Sequence, residues 1–311
     1  MGMQTFRVLR PVQRRNGRSH ERLLGLRRLD FLPERHQRSK RLDRLNGSEI
    51  RYLAFQIFIG TDDPGIPFDT VVHYTAKDKV EAVVQDILST IGARGQNLTR
   101  LAFMVGPISP DLTDEEAVQT IDDAFDIAVN NDIAVGFHLD DSMFWSRRAD
   151  LMSNVDNFER VDFDGALSTG LKLDWAHPPA KMCLNAPEIR SETTRRARDV
   201  IGATIAGHVA ALVAAGKGDL FAGVIAGWET HMGQDVATSS RLGFCALHNR
   251  GFGPGNPPSD VSGELAATVQ EFIDLWASGL AAAGIDPTRI YSHLSLIHIS
   301  EPTRLRRISY A

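Results

Sequence analysis

The sequence predicts an α/β protein of the (β/α)8 barrel type, with about six of the eight strands present. Two observations predict it. Nearly continuous apolar segments alternate with amphipathic helical segments, which is the pattern of a parallel sheet buried on both faces. Polar residues also cluster at, or just past, the C-terminal ends of several different strands, where a barrel gathers its active site. An open doubly wound sheet would concentrate such residues at one switch point instead.

Residues 52–60 (YLAFQIFIG) are rich in aromatic and β-branched side chains and run into a Thr-Asp-Asp-Pro-Gly turn, so they read as the first strand. Thr75 to Asp78 has the form of a capping box, and Val80, Val83, Val84 and Ile87 follow at helical spacing. Residues 98–106 form the second strand, and Thr113 to Glu116 opens a second helix. Residues 133–139 form the third strand. Residues 170–175 are expected as a fourth, 220–228 as a fifth, and 289–293 as the start of a sixth. Long helices are expected over 187–215 and 261–283. Loop 142–169 and the Gly/Pro-rich loop 251–258 are expected to lie over the barrel mouth.

The two ends read differently. Residues 1–50 hold twelve Arg and one Lys against five acidic residues and show no periodicity, as expected of a non-native or disordered leader. Residues 294–311 resemble the translation of a transposase-type sequencing adapter and its index. Residues 51–293 are therefore read as a truncated catalytic domain. They carry 18 Lys+Arg against 33 Asp+Glu. Such an acidic domain is a poor partner for nucleic acid. The apolar run 201–215 is too short to span a membrane and is expected as a buried helix. Homo-oligomerisation and location are left open. Cys183 and Cys245, the two cysteines, make no disulfide framework or zinc-type spacing and are expected as small buried apolar residues. Gly251-Phe-Gly-Pro-Gly255 follows no strand and lacks phosphate-loop spacing, so no cofactor is expected.

The candidate chemistry lies at the strand ends. Asp62, of the Asp62-Asp63 pair, is placed to act as a general base on water. His138 and Asp140 share one side of the third strand by period-two geometry and could bind sugar hydroxyls. Asp174, Trp175 and His177 form a potential substrate platform with a titratable acid. Glu229 follows a strand immediately, as catalytic glutamates do in many barrel glycosidases. Asn249 and Arg250, with Arg190 and Arg241, are candidate partners for the anionic group of a substrate.

Residues 55–62 (FQIFIGTD), a later strand-end histidine and Gly227-Trp-Glu229 resemble glycoside hydrolase family 156. The resemblance implies an inverting exo-sialidase on a (β/α)8 barrel that works without a metal. It implies Asp62 as base and His177 as acid, with His138 as the second choice for the acid and Asp174 orienting the histidine. A sialoside is then the expected carbohydrate substrate. Three alternatives stand beside it: a retaining glycosidase using Glu229 and a second carboxylate, a metal-dependent hydrolase built on His138, Asp140 and His177, and a sugar-binding module without catalysis.

Overall fold

A computed structural model describes residues 50–60, 71–91, 99–140, 142–173 and 177–293. The leader 1–49, Asp62 and Asp63, Asp174 and Trp175, and the tail 294–311 lie outside the described residues. The chain is an α/β protein. Five strands make one parallel sheet: β1 (Arg51–Phe58), β2 (Thr99–Ile108), β3 (Ala134–Leu139), β4 (Phe221–Ala226) and β5 (Ile290–Ser292). Their order in space is their order in sequence, with no reversal.

Each parallel step needs a crossover, and helices supply it. α1 (Lys77–Ile91) joins β1 to β2, and α2 (Asp114–Asn131) joins β2 to β3. The β3–β4 crossover carries a short α3 (Ala149–Met152), then α4 (Pro187–Arg195), a π-helical segment (Arg196–Gly202) and α5 (Ala203–Ala214). α6 (Phe244–Asn249) and α7 (Val261–Ala282) precede β5. A sequentially ordered sheet with right-handed crossovers carries its helices on one face. The contacts agree: α1 touches α2, α2 touches the π segment and α5, and the π segment lies against α7. That last crossing is close. A Cβ on Gly279 would come within 2.6 Å of Ala197 Cβ, so glycine lets the two backbones meet.

The two faces of the sheet differ in size of side chain. Phe55, Ile57, Phe103, Val105, Val135 and Phe137 belong to the large core beneath the helices. The opposite face presents Ala54, Ala102, Met104, Ala134, Ala222 and Ile225, packed beside Tyr52 and Tyr291. By period two, Gln56 and His138 belong to this second face, at its C-terminal end. Gly223 has a positive φ of 138°, and a Cβ there would lie 2.5 Å from the Tyr291 ring, so β5 can seat only against a glycine.

Several expectations need correction. The described part of the expected fourth strand, residues 170–173, does not join the sheet: Leu171 makes an isolated antiparallel bridge to Asp235, and Lys172 N donates to Gln234 O. The place is already filled, because β3 pairs directly with β4 from Val135–Phe221 to His138–Ile225. The described sheet thus has five strands, not six. Thr113 and Glu116 do form a reciprocal capping box. Thr75 Oγ1 accepts from Gly60 N (2.8 Å) and ties the end of β1 to the approach to α1. Cys183 and Cys245 are buried as expected, but they are joined as a disulfide between the segment preceding α4 and α6. Pro187–Ala214 is the one helix among the described residues long and apolar enough to cross a membrane. Its first half carries Arg190, Arg195, Arg196 and Arg198, and its buried side packs on α2 and α7, as a layer helix does.

Candidate active site

Four strand ends converge on one cluster. Gln56 reaches it from β1, His138 from β3, Gly227-Trp228-Glu229 from the end of β4, and His293 from the end of β5. His138 is its hub. The ring is 3% exposed and stacks on Trp228 with centroids 4.0 Å apart. Trp228 in turn packs against Phe58 of β1. His138 Nδ1 lies 3.1 Å from Gln56 Oε1, and Nε2 lies 3.3 Å from Gly227 O. Gln56 Nε2 donates to Met104 O (3.2 Å) and Ile57 O (3.3 Å), which turns its Oε1 toward the ring.

The electrostatics follow from burial. Desolvation, and then the neighbouring His293 ring, push His138 down to about 3. The ring is therefore neutral near pH 7, with one N–H to serve two flanking carbonyl oxygens. A neutral, buried and stacked imidazole cannot reach a substrate readily. It is suited to holding the Gly227–Glu229 turn in place.

That turn is strained. Gly227 has φ 88°, and Glu229 is a non-glycine residue at φ 53°. Left-handed backbone costs an ordinary L-residue roughly 1–2 kcal/mol. Such strain persists where the surroundings enforce it, and it clusters at functional sites. Here it is enforced by the Gly227 contact with His138 and by His231 Nδ1, 2.6 Å from Glu229 O. The result is a half-buried Glu229 carboxylate with Oε1 4.0 Å from His293 Nε2. The edge of the His293 ring also faces His138, with centroids 5.1 Å apart. A carboxylate beside an imidazole at a strand-end rim can stabilise an imidazolium, and so supports proton transfer to a leaving group.

The structure sorts the other predicted residues. Asp140 does not face a substrate. It is fully buried, its Oδ1 accepting from Ser142 N and Met143 N and its Oδ2 from Phe144 N, so it shapes the loop after β3. His177 is exposed and has no hydrogen-bond or ion-pair partner among the described residues. His138, Asp140 and His177 do not bring ligand atoms together among the described residues, which removes the ligand set of the metal alternative. The three-residue group with metal-ligand spacing is Glu159 with Cys183 and Cys245, and both sulfurs there are in the disulfide.

Arg250 is not available to an anionic substrate as expected. It pairs with Glu264 and Glu271 of α7, each at 2.8 Å. Asn249 lies over the disulfide, its Nδ2 3.1 Å from Asn185 Oδ1. Arg190 and Arg241 have no ion-pair partner among the described residues, and Arg241 is exposed. Sequence reasoning passed over Gln56 as a site residue. Its one signal was an amide within an otherwise apolar strand. His293 was visible only as a polar strand end.

No protein-family model matches the chain, and no curated protein matches it in sequence.

Proposed function

We propose that this chain is a glycoside hydrolase that removes terminal sialic acid with inversion, and that its sheet is part of a (β/α)8 barrel. The barrel reading is supported by the unreversed strand order, the single helical layer and the small-residue face opposite it. The observation that carries the functional reading is the meeting of Glu229 and His293 at the rim, from the ends of two neighbouring strands.

In this reading His293 donates a proton to the leaving glycosidic oxygen, and Glu229 holds the charge of the imidazolium before transfer. His293 thus takes the acid role first expected of His177. Asp62, which follows β1 in sequence, deprotonates the attacking water, as the resemblance to family 156 implies. His138 and Gln56 position Trp228 and Glu229 and do not touch the sugar. Arg241, exposed on the loop that follows the Glu229 turn and without an ion-pair partner among the described residues, is the candidate partner for the sialic acid carboxylate.

A retaining reading is favoured by one feature, the strained Glu229 immediately after a strand, where a nucleophile would sit. Hydrolysis of a fluorogenic α-sialoside, followed by NMR of the first-formed sugar, separates the two. The proposal expects free sialic acid with inverted anomeric configuration. A retained anomer assigns Glu229 as nucleophile, and no release from any sialoside linkage overturns the substrate assignment.

A further inference from the structure

Two long connections leave the C-terminal ends of β3 and β4, and they are laced into one unit. The first joins β3 to α4. The second joins β4 to α6 and begins at the strained Glu229 turn. Leu171 bridges Asp235, Lys172 N donates to Gln234 O (2.8 Å), and Val236 N donates to Gly170 O (2.9 Å). Asp235 Oδ2 accepts from both the N and the Oγ1 of Thr169, at 2.6 and 2.8 Å. Phe163 meets Phe244 edge-on, with centroids 5.0 Å apart. Little of the described length of either connection is helix or strand, so its order rests on ties between the two.

At one end of this unit a covalent tie and a polar tie lie side by side. Cys183, on the first connection, is bonded to Cys245, at the start of α6. The Glu159 carboxylate sits beside the sulfurs, with the ligand atoms of the three residues within 4.8 Å of one another. It reaches from the first connection to the second. Its Oε2 accepts from Gly243 N (3.1 Å) and Cys245 N (2.9 Å), and its Oε1 from Ala246 N (3.0 Å). Glu159 and both cysteines are buried. Burial pushes the Glu159 carboxyl up to about 7, against the pull of its N–H donors and of Lys181. Near neutral pH the polar tie therefore holds its charge weakly, and the bond beside it carries the junction.

The bond is buried under an exposed side chain. Asn249 Nδ2 lies 3.5 Å from Cys183 Sγ and 3.7 Å from Cys245 Sγ, and is held there by Asn185 Oδ1 at 3.1 Å. We propose that the Cys183–Cys245 bond is a redox latch: displacement of Asn249 admits a dithiol, and reduction frees the two connections from each other and loosens the Glu229 turn while the parallel sheet stays folded. Two electrons and two protons from the dithiol break the S–S bond. Cys183 and Cys245 become thiols, and the dithiol closes to its own disulfide. The sheet stands because the bond joins segments outside it, and none of the five strands carries a cysteine. The latch concerns order in the chain and holds whatever the substrate.

Hydrogen exchange read by mass spectrometry on the full chain tests this, before dithiothreitol, after it, and after reoxidation, with free thiols counted by mass. Reduction should expose both thiols and speed exchange at residues 159–172 and 227–246 by about tenfold or more, leaving β1 to β4 unchanged. Reoxidation should restore protection. Cys245→Ser should exchange as the reduced protein does and ignore dithiothreitol. Asn249→Ala should be reduced faster than wild type, and an unchanged rate overturns the route of entry. A bond that dithiothreitol cannot reduce in the folded chain, exchange within about twofold of the oxidised protein, or protection lost across the whole sheet overturns the latch.

Discussion

Two sets of buried or half-buried acidic groups lie in the loops that follow β3 and β4, and they are treated in opposite ways. Asp140 and Glu159 are held by backbone. Asp140 receives three N–H donors from the loop after β3, and Glu159 receives those of Arg160, Gly243, Cys245 and Ala246. These carboxylates are loop-builders, buried and gripped by backbone N–H groups. Glu229 instead sits on a left-handed residue with its carboxylate turned toward an imidazole 4.0 Å away. The contrast teaches that an acid near a strand end is not a site in itself. What marks a site is a carboxylate held in place by strain and neighbours, and turned toward another titratable group.

Substitutions can break that contrast. The largest effect is expected at the rim: Glu229→Gln should lower turnover of a fluorogenic sialoside by about 10²–10⁴-fold while Tm stays near wild type. Relief of the left-handed residue by Glu229→Gly should raise Tm slightly and abolish turnover. Asp140→Ala should do the reverse, costing about 3 kcal/mol of stability in urea unfolding, since three backbone donors lose their acceptor. An Asp140→Ala protein of unchanged stability would show that the loop does not depend on its carboxylate.

His138 sharpens the comparison through pH. Its pKa falls from an ordinary 6.5 to about 3 in the folded chain, so the unfolded state takes up a proton that the native state refuses. Stability from this group is present above about pH 6.5 and is lost as pH falls toward 3, at about 1.4 kcal/mol per unit in that window. Urea unfolding at pH 7 and pH 4.5 should show this loss in wild type and a smaller one in His138→Gln. Equal losses in both would place the acid sensitivity elsewhere. The smallest effect is expected at Arg250, whose partly exposed pairs with Glu264 and Glu271 are worth under about 1 kcal/mol. Arg250→Ala should leave sialoside KM unchanged, and a large rise in KM would restore it as a substrate contact.

Much of the fold was legible because it rests on local pattern. The apolar runs around Phe55, Phe103, Val135 and Val224 are strands, and the Thr113–Glu116 box starts a helix where its spacing says. Residues 170–173 of the expected fourth strand misled because strand-like alternation does not say whether a sheet has room. β3 and β4 pair directly and exclude them. The disulfide was not legible, since its partners lie 62 residues apart and only the fold brings their Cα atoms to 6.0 Å. At the candidate site, the position of Glu229 was legible from its place just after a strand. Asp140 was misread because backbone capping depends on loop geometry, and Arg250 because its partners sit 14 and 21 residues further along. Gln56 was hidden by its surroundings, as one amide among apolar residues.

A double-mutant cycle on Glu229 and His293, read as kcat on a sialoside with folding checked by circular dichroism, tests the central claim most directly. If the two act as one proton-transfer unit, Glu229→Gln, His293→Gln and the double variant should each lose activity to a similar degree, far short of multiplying. Losses that multiply, or a His293→Gln protein within twofold of wild type, would contradict it.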